Sequence, residues 1–328
     1  HSNLADATRY LANELFKDYG LVIVDADSKV LKQLFIPYVE KELTEKLSFE
    51  AVTKTNAKIE SKNYSVQVNP REINLFYLKD NLRERIIESE GQFQVNNTSI
   101  KWSKDEILSE VQSHPERFSP NVIMRPLYQE VILPNLCYIG GGGEMAYWFQ
   151  LKSYFEKVDI PFPILLLRNS ALLITKKQTE KLEKLRLSIK DVFKKQGELI
   201  NEQTKLRSDI TIDFSEQKEH LTNQFKALYE LADKTDKSFL GAVAAQERKQ
   251  IKGLEHLEKR LLKAQKKRLK DVLERVTTIQ DQLFPFQSLQ ERNTNFSEFY
   301  LEFGHQLIEQ LVLNLQPLKS EFIILEFN

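Results

Sequence analysis

The chain of 328 residues carries 47 Lys and Arg against 47 Asp and Glu, so its formal net charge is zero. This balance argues against a general nucleic-acid binder, which usually carries a basic excess. No apolar run approaches the roughly 20 residues needed to span a bilayer, so we expect no membrane partner. The single cysteine, Cys137, excludes an internal disulfide framework and favours a reducing cytoplasm.

The distribution of proline divides the chain. No proline lies between Pro163 and Pro285, and so long an interval, rich in Lys, Glu, Gln and Leu, predicts an almost wholly helical section. The flanking segments have shorter, mixed α and β patterns. The predicted divisions are an α/β core segment at 1–47, a connecting insertion at 48–113, core with a glycine-rich loop at 114–173, a helical section at 174–284, and a return to the core at 285–328.

The first predicted segment consists of a helix, a strand and a second helix. Apolar residues recur at helical spacing between Leu4 and Phe16, and Gly20 ends this helix. Leu21–Val24 is a continuous apolar run, typical of a strand that is buried on both faces. An α-β-α unit of this kind is typical of a parallel sheet covered by helices.

The segments that follow are short. In the insertion, Ser103 with Glu106 three residues later predicts a capped helix that runs to about Ser113. Further helices are predicted at 127–133 and through the aromatic residues up to Tyr154. The predicted strands are 64–68, 74–78, 83–88, 92–95, a buried strand at 163–167, and a final one at 322–325.

The helical section repeats apolar residues with spacings of three and four. From Leu182 to Leu206 this pattern belongs to a predicted helix of about 33 residues, or roughly 50 Å. A break follows at 208–214, and the spacing returns at 221–239 and 254–283. Helices this long and polar pair within the chain or with another chain, so we predict a homodimer through 174–284.

The glycine run Gly140–Gly143, followed by Glu144, is the most specific local feature. Four glycines between an apolar run and a helix can expose backbone N–H groups to a phosphate or carboxylate at the helix N-terminus. The alternative is a tight turn that needs positive φ. The run is neither the dinucleotide fingerprint nor a Walker A loop, because no Lys-Ser/Thr follows it.

Arginines and aromatic residues flank this run. Arg125 and Arg168 are candidate forks for a carboxylate or phosphate. The alternative for Arg125 is a surface ion pair, and the alternative for Arg168 is a helix-capping turn in which Ser170 is the cap. Tyr147 and Trp148 either stack on a flat ring or belong to the core. No catalytic base or nucleophile stands out, and the histidines show no metal-ligand spacing, so no metal site is predicted. The predicted pocket comprises Arg125, Gln129, Gly140, Gly141, Gly142, Gly143, Glu144, Tyr147, Trp148 and Arg168.

Several segments resemble the bacillithiol biosynthesis cysteine-adding enzyme family. The most specific are His114–Val122 with Arg125-Pro126-Leu127, and Tyr138–Glu144 with Tyr147-Trp148. Further matches are Asn74–Tyr77, Arg168-Asn169-Ser170, Gln290-Glu291-Arg292, Asn295 and Gly304. The resemblance adds Asn169 and Arg292 to the predicted ligand-binding residues.

The resemblance implies a Rossmann-like core with small connecting insertions and a long antiparallel helical coiled coil used for dimerisation. It implies a ligase that adds cysteine to glucosaminyl-malate in the last step of bacillithiol synthesis, with ATP as cosubstrate and an ATP or ADP site in the core. The family carries further N-terminal residues, including the first core strands and a Gly-Gly-Gln-Gln loop. We therefore expect this chain to be a C-terminal portion whose core is incomplete at its N-terminus, and activity of the chain alone is not implied. The alternative hypothesis is a coiled-coil interaction protein with a nucleotide-binding core.

Overall fold

A computed structural model describes residues 3–328, so the first two residues of the predicted 1–47 segment lie outside the description. The chain forms two compact units. The first comprises residues up to 169 together with 316–320, and the second comprises 170–315 together with 321–328. This division differs from the predicted boundaries, because residues 285–315 group with the helical unit and only 316–320 group with the first unit.

The first unit combines helices with two sheets. Its helices are α1 Leu4–Phe16, α2 Lys29–Leu34, α3 Ile36–Glu45, α4 Leu47–Ser61, α5 Lys104–Ser113, α6 Arg125–Ile132, α7 Gly142–Phe149 and α8 Lys152–Lys157. Five strands form an antiparallel sheet in the order β4-β3-β2-β1-β5: β1 Leu75–Lys79, β2 Leu82–Ser89, β3 Gln92–Val95, β4 Lys101–Trp102 and β5 Phe118–Pro120. A separate parallel pair is formed by β6 Cys137–Gly140 and β7 Ile164–Leu167.

Two predicted strands of this unit are wrong. Residues 21–24 form no strand, and Val22 is 77% exposed, because no strand of the described chain pairs with this run. Residues 64–68 also form no strand, because the Gln150 side chain replaces a partner strand. Its Oε1 accepts the backbone N–H groups of Gln67 at 3.0 Å and Val68 at 3.1 Å.

The other local predictions for this unit largely hold. The strands predicted at 74–78, 83–88 and 92–95 are β1, β2 and β3, and Ser103 and Glu106 form the predicted capping box of α5. The strand predicted at 163–167 exists as β7, but its burial is wrong, since Ile164 is 70% exposed. The aromatic helix is interrupted at residues 150–151 and becomes α7 and α8.

A buried polar network lies where α3, α4 and β1 meet. The Asn74 side chain is fully buried; its Nδ2 donates to Ser48 Oγ at 2.6 Å and to the Arg71 carbonyl at 2.7 Å. Its Oδ1 accepts from Arg71 N at 3.0 Å and from Asn121 Nδ2 at 2.9 Å. Burial raises the pKa of the neighbouring Glu42 carboxyl, while hydrogen bonds from Ser48 and Asn74 oppose this rise. One carboxamide therefore joins four segments of the unit.

A second polar cluster fixes the segment that begins at His114. The Glu110 carboxylate of α5 accepts the Tyr77 hydroxyl at 2.6 Å and Arg117 Nη1 at 2.7 Å, both on the same oxygen. Burial, followed by the hydrogen bond to Glu110, raises the pKa of Tyr77 to about 12. The hydroxyl therefore stays a proton donor at neutral pH, and it ties β1 to α5.

The second unit is mostly helical. Its helices are α9 Lys176–Lys184, α10 Gln196–Arg207, α11 Ser215–Ala232, α12 Lys237–Arg268, α13 Lys270–Leu283, α14 Gln290–Asn293, α15 Phe296–Phe303 and α16 His305–Asn314. Strand β8, Ser170–Thr175, which the sequence analysis missed, pairs in parallel with β9, Phe322–Phe327. None of the helices within residues 3–328 combines the length and apolar character that crossing a membrane requires.

Helices α11 and α12 form an antiparallel hairpin. Its side-chain links are Lys218 with Glu258 at 2.6 Å and the Tyr229 hydroxyl with Glu247 at 2.7 Å. Asp236 caps α12 by accepting the N–H groups of Ser238 and Phe239, so the single long pattern from 221 to 239 is divided between two helices.

The predicted helix of about 33 residues is wrong, since residues 185–195 separate α9 from α10. Arg186 adopts φ of 50°, and the Leu187 N–H donates to the Leu182 carbonyl at 2.9 Å, which ends α9. Leu185, Leu187 and Val192 are still buried in the core of this unit. A loop buries the same apolar positions that a helix would have buried, so spacing alone did not reveal the break.

We predict that Asn74→Ala destabilises the first unit by about 2–4 kcal/mol, because buried donors and acceptors lose their partners. Urea denaturation measures the loss. Asn13→Ala, at an exposed position of α1, is the matched control and should change stability by less than about 0.5 kcal/mol. Equal effects of the two substitutions would contradict the role given to the network.

Candidate ligand site at the glycine run

The glycine run connects the end of β6 to the start of α7. Gly140 is the last residue of β6, and α7 begins at Gly142. The Arg168 N–H, just after β7, donates to the Gly140 carbonyl at 2.9 Å. Both parallel strands therefore end here, at the edge of a parallel sheet where ligands commonly collect.

The four glycines serve different purposes, and none has the positive φ that the tight-turn alternative required. A Cβ on Gly140 would lie 2.7 Å from Cε1 of Tyr138 and 2.9 Å from Cε of Met145, so close packing requires glycine there. A Cβ on Gly142 or Gly143 would meet nothing within 4 Å. At these two positions the backbone is open to approach from outside.

Glu144 occupies part of the helix N-terminus. Its Oε2 accepts the Gly141 N–H at 2.8 Å, and its Oε1 accepts the Tyr138 hydroxyl at 2.9 Å. The hydrogen bond from Gly141 is the main cause that holds the pKa of Glu144 below its ordinary value, with help from Tyr138, Arg168 and Arg125. Glu144 is therefore ionised at neutral pH, and an incoming anion has the N–H groups of Gly142 and Gly143 rather than that of Gly141.

Arg125 contacts two of the predicted site residues. Its Nη2 donates to the Tyr147 hydroxyl at 2.7 Å, and its Nη1 donates to Gln129 Oε1 at 3.1 Å. Within residues 3–328 it forms no ion pair, so the ion-pair alternative is wrong. Its two hydrogen-bond partners, Tyr147 and Gln129, are both neutral, as expected of a guanidinium fork that is available to a carboxylate or phosphate.

Arg168 is exposed, with its main chain fixed by Gly140. Its charge is one of the smaller causes that lower the pKa of Glu144. The helix-capping alternative is wrong, because Ser170 begins β8. The Asn169 side chain donates to the carbonyls of Gln316 at 3.1 Å and Lys319 at 3.3 Å, so this residue fastens the 316–320 segment.

Trp148 is a core residue. It is fully buried and stacks on Tyr138 with ring centroids 4.2 Å apart, so its faces are not available to a ligand. Tyr147 is half-buried and keeps its hydroxyl on Arg125. Arg292 is exposed on α14 in the second unit.

Sequence reasoning missed Tyr138. Burial, followed by its hydrogen bond to Glu144, raises the pKa of Tyr138 to about 12. Its hydroxyl is thus a neutral donor that positions the Glu144 carboxylate. Its ring leaves no room for a side chain at Gly140. Only its place in the segment Tyr138–Glu144 signalled it, because its contacts form across the turn.

Each of the two units matches a described domain family. Residues 1–169 match "Bacillithiol biosynthesis BshC, N-terminal Rossmann-like domain", and residues 171–327 match "Bacillithiol biosynthesis BshC, C-terminal coiled-coil domain". The chain belongs to the BshC family. The predicted fold class, a Rossmann-like core followed by a helical coiled coil, is therefore confirmed.

Curated relatives agree with this assignment. The chain is 62% identical over 327 residues to a protein of Christiangramia forsetii and 62% identical over 325 residues to one of Flavobacterium johnsoniae, each named "Putative cysteine ligase BshC". A Cytophaga hutchinsonii protein of the same name is 40% identical over 316 residues. The matches cover 100%, 99% and 96% of this chain but only 61%, 61% and 60% of those proteins. The chain thus spans about three fifths of the length of these relatives.

We predict opposite outcomes for alanine at two positions of the glycine run. Gly140→Ala should destabilise by about 1–3 kcal/mol, because the Tyr138 ring is held between Trp148 and Glu144 and cannot retreat. Gly142→Ala enters open space at the first position of α7 and should be neutral or stabilise by up to about 1 kcal/mol. Thermal or urea unfolding of both variants decides the matter, and a tolerated Gly140→Ala would refute the packing argument.

Proposed function

We propose that this chain provides the cysteine-adding activity of bacillithiol biosynthesis, joining cysteine to glucosaminyl-malate with ATP. Family membership across both units carries the proposal, and the relatives' shared name, cysteine ligase, supports the reaction class. The exposed backbone of Gly142 and Gly143 beside Arg125 and Arg168 suits an anionic group of ATP or ADP.

The proposed chemistry is the formation of an amide. ATP converts the cysteine carboxylate into an acyl phosphate or adenylate, which releases ADP or pyrophosphate. The amine of glucosaminyl-malate then attacks the activated carbonyl carbon, the C–N bond forms, and phosphate or AMP leaves as the amine loses a proton. The positive groups beside the glycine run would stabilise the charge that develops on the phosphoryl oxygens. This activation needs no protein thiol.

We further propose that the protein acts in the cytoplasm as a homodimer joined through residues 174–284. The α11–α12 hairpin supports the dimer, because Leu231 and Leu257 are 54% and 52% exposed on it. Apolar side chains on a long polar hairpin gain most by meeting an equivalent surface. The same observation favours the second candidate function, a coiled-coil interaction protein with a nucleotide-binding core.

Both candidates require nucleotide binding at the glycine run, so this binding is tested first. We expect ADP to bind the purified chain and Gly142→Val to weaken this binding about tenfold or more, since a side chain would occupy the space that a phosphate needs beside the backbone. Isothermal titration calorimetry measures the affinity. The matched control is Gly197→Val at the start of α10, where a side chain also meets open space; it should leave ADP affinity unchanged.

Product formation tests the reaction itself. Mass spectrometry should detect bacillithiol only when the chain is given cysteine, glucosaminyl-malate and ATP together. Absence of product combined with equal ADP affinity of wild type and Gly142→Val would contradict both the ligase and the site.

We predict that Leu231→Glu combined with Leu257→Glu converts a dimer into a monomer, because two charges would be buried in the proposed interface. Light scattering coupled to gel filtration gives the mass. Leu301→Glu, at an 88% exposed position of α15, is the control and should leave the dimer intact. A wild-type monomer at micromolar concentration would refute the dimer.

A further inference from the structure

A cavity of about 330 Å³ lies between α9 and α13, within the second unit. Its volume is at the lower end of the range for small-molecule sites. The floor is apolar and belongs to the core of the unit, because Leu185 and Ile279 are only 9% and 2% exposed. A compact carbon body could therefore lie on this floor.

Three cations surround the floor. Lys181 and Lys184 come from α9, and Arg275 comes from α13, with the Thr278 hydroxyl as a further polar group. No carboxylate lines the cavity. Throughout residues 3–328 none of the three cations has an ion pair within 4.0 Å, although Glu180 and Asp271 each lie one turn from a cation on its own helix. Three cationic residues therefore line the cavity without a direct carboxylate partner.

Stabilisation of a helix end explains only part of this arrangement. Lys181 and Lys184 lie in the last turn of α9, where cations favourably meet the negative end of the helix dipole. Arg275 lies in the middle of α13, where the dipole offers it nothing. A cation supplied by a second helix to the same apolar hollow indicates recognition of a ligand that carries more than one negative charge.

We propose that this α9–α13 cavity binds a small organic polyanion, with carboxylate or phosphate groups on a compact carbon body. The negative groups contact Lys181, Lys184 and the Arg275 fork, and the carbon body covers Leu185 and Ile279. This site lies wholly within the second unit, whereas the glycine run belongs to the first.

Calorimetric titration of the full chain with citrate and with ADP tests the proposal and distinguishes carboxylate from phosphate. The titrations use the Gly142→Val background, in which the proposed binding at the glycine run is weakened, so that the Lys184 and Arg275 substitutions report on the α9–α13 cavity. We expect at least one probe to bind saturably and Lys184→Gln with Arg275→Gln to weaken it about tenfold or more. Added salt should weaken the same binding, because exposed charges are screened.

The control Lys267→Gln removes one exposed positive charge of α12 outside the cavity and should change the affinity less than about twofold. The substituted side chains are exposed, so the variants should retain the wild-type unfolding transition. The proposal would be overturned if neither probe binds, or if the double variant binds as tightly as the protein without these two substitutions. Such a result would mean that the cavity is empty or that a second copy of the chain covers it.

Discussion

The position of the candidate site depends on one buried carboxamide. Asn74 connects to Asn121 through a hydrogen bond of 2.9 Å between side chains. The side-chain Oδ1 of Asn121 accepts the Ile123 N–H at 2.9 Å, and the main-chain carbonyl of Asn121 accepts the Arg125 N–H at 2.8 Å. This chain of bonds sets where α6 begins and therefore where the Arg125 guanidinium can reach. A shift of the segment would leave buried polar groups unpaired, which costs more than the bonds contribute when made.

The segments that resemble the family contain two kinds of residue: some stabilise the fold, and others belong to the candidate ligand site. Arg117, within the His114–Val122 segment, stabilises the fold by pairing with Glu110, which also accepts a hydrogen bond from Tyr77. Arg125 instead donates to the neutral hydroxyl of Tyr147, and a side chain on Gly142 or Gly143 would meet open space. A specific sequence motif thus need not consist of catalytic residues, since much of the His114–Val122 segment holds two sheet segments and a helix together.

Local chemistry could be predicted from the sequence wherever the partners are near in the chain. The capping box of Ser103 and Glu106 is such a case, since both bonds close within three residues. Residues 64–68 show the opposite case: their alternation is typical of a strand, yet their hydrogen-bond acceptor is Gln150, more than eighty residues away. The loop at 185–195 escaped prediction because burial of Leu185 and Leu187 satisfies the helical pattern without a helix.

The same distinction applies within the site. Composition alone located the glycine run, but the reason for Gly140 is the ring of Tyr138, whose position follows from stacking on Trp148. The sequence allowed Trp148 to be either a core residue or a residue that stacks on a ligand, and its complete burial shows that it is a core residue. Tertiary contacts of this kind leave no periodic signal in the sequence.

Glu144 determines which ligand the glycine run can favour. Its ionised carboxylate already accepts the Gly141 N–H and partly neutralises the positive end of α7. A small lone anion would therefore gain little there and would meet repulsion. A longer ligand can place its charge against Gly142, Gly143 and the arginines while its body extends away from Glu144. Because the folded pKa of Glu144 is lowered, the stabilising cap is present above the ordinary pKa of the group and is lost as pH falls through the folded value. Protonation of Glu144 in acid would thus remove both its repulsion of anions and its cap on α7. The selection against lone anions therefore operates at neutral pH, where the proposed ligase would work.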